Sequence, residues 1–221
     1  MIQSSLDMLP PLMAGAATTI YLTLISFPLA FGVALGAALA GQAKLAPVRW
    51  VTTAFIEVFR GTSLIIQLFY FYFVLPFVGI TLEATTAAVL VLSLHYGAYG
   101  AEIVRAAVLT IPRGQYEAAS TLGLTPRLTM RLVVLPQAFL VMIPPFGNVL
   151  IEMLKATSIL SLITVSELAF AGNALFQTTG QTVQIYVFVL IIYFLIAYSL
   201  TLCVRRIERH LSVGRGLGLA S

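Results

Sequence analysis

The chain has 221 residues, of which 60% are hydrophobic and only 9% charged, with a mean hydropathy of +1.01. Soluble domains carry about a quarter charged residues, so this composition excludes a soluble fold and points to a membrane protein. The net charge of +4 would suggest nucleic acid in a soluble protein; here its placement along the chain matters more, and no nucleic-acid partner is expected. A single cysteine, Cys203, excludes an internal disulfide and a multi-cysteine metal site.

A membrane helix needs about 20 mostly apolar residues. Residues 1–14 lack a basic stretch ahead of the first apolar run and carry Asp7. They are expected to form a short periplasmic segment, interrupted by Pro10 and Pro11, rather than a cleavable leader. The first span covers about 15–40 and is rich in alanine and glycine, which permit close helix approach. Lys44 and Arg49 lie in the connection that follows. The second span is expected over about 54–79, with Gln67 the polar interruption of the apolar block 64–78, and the third over about 84–110. A fourth runs from near Leu132 past Pro144 and Pro145 to about Leu162. Residues 163–182, with Glu167, Asn173 and Gln177, are too polar to span, and a fifth span covers about 183–204. The expected fold is therefore an all-α polytopic membrane bundle of five transmembrane helices, 15–204, with a tail at 205–221.

Five spans put the termini on opposite faces. Lys44, Arg49, Arg113, Arg127, Arg131, Arg205, Arg206, Arg209 and Arg215 fall on one side if the N-terminus is outside, and none falls in 1–14, 79–83 or 163–182. The excess of lysine and arginine in cytoplasmic loops then assigns an external N-terminus and a cytoplasmic C-terminus. Three further cations follow an acid by three residues: Glu57 with Arg60, Glu102 with Arg105, and Glu152 with Lys155. Residues three apart share a helical face, so each pair can neutralise itself, and charges in lipid are expected to face the bundle interior or an interface.

The polar island Glu117–Pro136 stands apart from the apolar runs. Pro112 and Gly114 break the preceding segment, Ala118 and Ala119 favour a short helix, and Gly123 offers a left-handed stop. Thr125 and Pro126 restart a helix as N-cap and first helical residue. Short helix, sharp turn and root of the next span make a rigid knob suited to docking something outside the membrane.

The succession Glu117-Ala118-Ala119, Gly123, Val133 and Leu135-Pro136 resembles the EAA loop of ABC importer permeases. Flanking stretches at 59–62 (FRGT), 101–105 (AEIVR), 111–115 (IPRGQ) and 155–158 (KATS) are similar to the polar amino acid uptake branch, and the likeness runs from about residue 12 to about 205. The resemblance implies a coupling loop at 113–136 in which Glu117, Ala118, Ala119 and Gly123 meet a cytoplasmic ATPase dimer. It also implies a second permease subunit, identical or paralogous, a solute-binding protein outside, and a bacterial inner-membrane location. No P-loop motif occurs in the chain, so ATP and Mg are expected on the partner ATPase, with no cofactor here and no enzymatic activity.

The translocation path has to offer polar groups. Glu152 and Lys155, beyond the double proline, can meet the ammonium and carboxylate of an amino acid, with Ser158 beside them; Gln67, His95, Tyr96 and Tyr99 are secondary candidates. Ala156 follows the lysine where many family members carry an acid, which weakens transfer of substrate preference. The alternatives are an importer of an opine, a compatible solute or another small zwitterion, and, in a different class, an ATP-independent secondary carrier or channel subunit.

Overall fold

A computed structural model describes residues 8–212. Asp7, Arg215 and the remainder of 1–7 and 213–221 lie outside the described residues. Among the described residues there are nine α-helices and no strand: α1 (Leu9–Ala40), α2 (Ala46–Gly61), α3 (Leu64–Phe69), α4 (Ala84–Leu109), α5 (Arg113–Thr121), α6 (Pro126–Thr129), α7 (Leu135–Ala156), α8 (Leu168–Thr179) and α9 (Thr182–Ser212). Short π or 3-10 turns extend α3 to Val78, join α6 to α7, and extend α7 to Ile163. Four stretches are long and apolar enough to cross a membrane, Leu9–Ala40, Ala84–Leu109, Pro126–Ile163 and Thr182–Leu211, and a fifth results if the bent pair α2 and α3 is one span.

The bundle is centred on α1 against α4, its most extensive helix pair. Apart from Leu12 and Leu22, the buried stripe of α1 is made of small residues, Ala30, Ala34 and Ala38 among them, one turn apart. Across from it, a β-carbon on Gly97 would lie 2.5 Å from Val33, and one on Gly100 would lie 2.7 Å from the Ala34 β-carbon. Lipid offers no hydrophobic reward for helix association, so close backbone approach through small residues is what holds such a pair. Gly100→Val is expected to cost about 1–3 kcal/mol by overpacking against Ala34 and Phe146. An unchanged apparent melting midpoint of the purified variant would contradict this packing.

Several boundaries differ from the sequence expectation. The first helix begins at Leu9, with Pro10 and Pro11 inside its first turn, where a missing N–H costs nothing. These prolines start the helix instead of interrupting it. The stretch expected as one second span, 54–79, is broken: α2 and the segment Leu64–Val78 meet at 109°. Thr62 and Ser63 are extended, and the Thr62 hydroxyl donates to Val58 O (2.6 Å) at the end of α2. The Gln67 amide donates to Phe59 O (2.9 Å) and to the Thr62 hydroxyl (2.8 Å), so a side chain takes over carbonyls that the break leaves free. As expected, α7 continues past Pro144 and Pro145 without a break. The fifth span extends past Arg205 as a helix to Ser212, so the beginning of the expected tail is helical. Residues expected to be too polar to span fold as α8.

Candidate functional site

The loop at 113–136 has the predicted form. Helix α5 starts after Pro112 and ends at Leu122, followed by Gly123 at φ +73°. Gly123 N–H donates to Ser120 O (2.9 Å) and Leu124 N–H to Ala119 O (3.1 Å), the paired bonds of a Schellman stop. The Thr125 hydroxyl then accepts from Leu128 N–H (3.4 Å), and Pro126 opens α6. Glu117, Ala118 and Gly123 are exposed, whereas Ala119 is buried and fixes the short helix to its own bundle. Ala119 is thus placed to set the pose of α5. One turn earlier on the same face, Gln137 donates to Gln115 (3.3 Å), a further tie to α7. Leu122, 80% exposed beside the turn, is an apolar tip that sequence reasoning passed over.

The polar candidates inside the bundle separate into two groups. Gln67 is buried, and its carbonyl oxygen lies 3.0 Å from His95 Nδ1 while its amide holds the α2–α3 break. Both residues are thereby tied to the break between α2 and α3. The His95 ring packs on Tyr99 at 5.2 Å, and Tyr99 carries the Arg60 guanidinium over its face at 5.4 Å. Arg60 accordingly stacks on an aromatic ring instead of pairing with Glu57, a cation–π contact between elements that no spacing in the chain announces.

The second group lies on α7. Asn148, Glu152 and Lys155 are exposed, and spacings of four and three place them on one face of the helix. Ser158 is turned back on its own chain, its hydroxyl donating to Lys155 O (2.9 Å). Of the three acid–base pairs expected from sequence, Glu102 with Arg105 closes, at 2.7 Å, and it is the ion pair formed among the described residues. Glu152 and Lys155 thus stand one turn apart without neutralising one another.

Sequence reasoning also missed Glu167. It is fully buried at the start of α8, where its carboxylate accepts from Ala169 N–H (2.8 Å), Phe170 N–H (2.7 Å) and the Tyr193 hydroxyl (2.7 Å). Leu168 N–H donates to the Thr19 hydroxyl (3.2 Å), so one helix start ties α8 to α1 and α9. Burial pushes the Glu167 carboxyl pKa up, and the bonds from Tyr193, Ala169 and Phe170 offset this in part. An acid immediately before the helix-prone run Leu168–Leu175 was the available signal for an N-cap.

The family of binding-protein-dependent transport system inner membrane components matches residues 32–213. The chain belongs to that family. This inner membrane component is 40% identical over 203 residues to the L-cystine transport system permease protein TcyB of Bacillus subtilis (strain 168), covering 91% of this chain and 87% of that protein. It is 37% identical over 210 residues to the glutamine transport system permease protein GlnP of Escherichia coli (strain K12), covering 93% and 94%. Its bundle superposes on a solved amino acid ABC transporter with histidines at a TM-score of 0.89, with 32% identity and 94% and 97% of the two chains covered. Its curated relatives are transport permease subunits, and membership places it in the inner membrane.

Proposed function

We propose that this permease subunit carries a polar amino acid, or a close zwitterionic relative, into the cytoplasm in an ATP-driven importer. The observation that supports this most directly is the α7 face bearing Asn148, Glu152 and Lys155. A carboxylate and an ammonium held one turn apart and not paired match the two charges of a zwitterion, each of which would otherwise be costly to bring into the membrane. The names of the relatives, which speak of cystine and glutamine, support the same class of solute.

In this reading the N-terminus is outside and the C-terminus cytoplasmic. A second permease subunit, identical or paralogous, closes the path opposite α4 and α7, and a solute-binding protein delivers the ligand from outside. An ATPase dimer, which holds ATP and Mg, grips α5 and the Gly123 turn, with Glu117 and Ala118 facing it. Closure of that dimer drags two such loops together and turns the attached spans as rigid bodies.

Proteoliposomes containing the full assembly, loaded with ATP, test the reading with a panel of labelled amino acids. ATP-dependent accumulation of a polar amino acid, insensitive to an uncoupler, is the expected result. Uptake that survives ATP depletion and collapses with an uncoupler would reassign the chain to the secondary carriers. Glu152→Gln is expected to weaken apparent affinity by about tenfold or more, the worth of one charge-assisted hydrogen bond. An unaltered concentration dependence of uptake in that variant would remove Glu152 from the path.

A further inference from the structure

We propose that the face of the bundle turned away from Glu152 holds one anionic phospholipid, with an acyl chain between α1, α7 and α9 and its phosphate at Arg206 and His210. A groove of about 280 Å³ opens there, walled by Phe27 and Phe31 of α1, Phe139, Ile143 and Phe146 of α7, and Val204 of α9. Among the described residues, every one that lines it is apolar. Ile143 lies nine residues from Glu152, about two and a half helical turns, and so on the reverse of α7. A zwitterionic solute would find no partner for either charge in such a groove, so it is not a branch of the path.

The groove is already shaped in the protein alone. Phe31 meets Phe146 edge-on at 5.0 Å, while Phe27 with Phe146 and Phe31 with Phe139 are each edge-on at 6.3 Å, which fixes the aromatic wall. Gly147 lies so close to Val204 that a β-carbon would run into it, pinning α7 to α9 at one end of the groove.

Ile207 lines this groove and, on the same helix, neighbours Arg206, His210 and Leu211, all exposed at the end of α9. The apolar groove thus ends beside a surface with cationic and imidazole donors. Arg206 and His210 are four apart on one helical face, both exposed. Glu208, the nearest acid in sequence, is two residues from each and projects from another side of α9. A guanidinium matches phosphate oxygens in a two-point fork, and an apolar slot leading from it selects a phosphate that carries a chain. Location in the cytoplasmic leaflet, where anionic lipids concentrate, rests on the orientation proposed above; lipid retention does not depend on it or on transport.

The intact assembly, purified from discs of equal phosphatidylglycerol and phosphatidylcholine, is stripped in mild detergent and its retained lipid measured by mass spectrometry. Phosphatidylglycerol is expected to be enriched about fivefold, the preference one arginine gives at a membrane surface, with about one molecule kept per permease chain. Arg206→Gln with His210→Gln is expected to abolish the preference, and Ile143→Trp, which fills the slot, to lower total retained lipid. Raising salt from about 0.05 to about 0.5 M should erase the preference in the unaltered protein, a readout independent of any variant's folding. Absence of enrichment, enrichment untouched by salt or by both variants, or a Phe139→Cys cross-link to another protein chain across the groove would each overturn the proposal.

Discussion

Gly123→Val is expected to lower ATP-driven uptake at least tenfold while leaving membrane insertion and the melting midpoint of the bundle unchanged. Gly123 sits at φ +73°, and a β-carbon there would meet nothing within 4 Å. The cost of a side chain is therefore confined to the backbone, about 1–2 kcal/mol for an ordinary residue in the left-handed region and more for a β-branched one. The chain relieves that strain by abandoning the two bonds that close α5, Gly123 N–H to Ser120 O and Leu124 N–H to Ala119 O. Exposed Leu122 and Glu117 then leave the pose that Ala119 holds. Asparagine enters the left-handed region more readily, so the order of activity should run Gly, Asn, Ala, Val. Uptake, membrane content and recovery of the ATPase in the same membranes check this. Normal uptake with valine would remove the turn from coupling.

Glu167→Ala is expected to destabilise the protein by about 2–4 kcal/mol. Loss of an N-cap alone costs about 0.5–2 kcal/mol, and a buried hydroxyl left without its partner adds about 1–3 kcal/mol. Both apply here, because Tyr193 donates to the same carboxylate that caps α8. Tyr193→Phe removes one bond and spares the cap, so its loss should be the smaller. Thermal melts of the purified variants provide the comparison. A Glu167→Ala midpoint matching the parent would mean that α8 is not held through this carboxylate.

The contrast between these two sites explains which parts were legible in the chain. The Gly123 turn is local: helix formers, a glycine, then Thr125 and Pro126 specify a stop and a start within ten residues, and the observed caps follow. Helix α4, expected at 84–110 and found at Ala84–Leu109, was legible because apolar content decides it. Glu167 acts through Thr19 and Tyr193, far away in sequence, and nothing near it announces either. The break between α2 and α3 lies beside an apolar block with no proline at the bend, and it depends on Gln67 reaching back eight residues to Phe59. One pair of prolines misled and the other did not. Pro10 and Pro11 start α1 instead of interrupting it, because a missing N–H costs nothing in the first turn, while the passage of α7 through Pro144 and Pro145 was legible from the unbroken apolar run. Among the candidate path residues, the shared face of Glu152 and Lys155 was readable from their spacing, while the engagement of Gln67 at the α2–α3 break was not.

The most direct test of the account is recovery of the tagged chain from native membranes in mild detergent, with mass spectrometry and an ATPase assay on the product. A P-loop ATPase at near-equal stoichiometry, lost when Gly123 is valine, is the predicted result, and a second permease in the sample would identify the pair as paralogous. Recovery of this chain alone across several detergents, with no ATPase activity, would contradict the coupling role of α5 and the Gly123 turn.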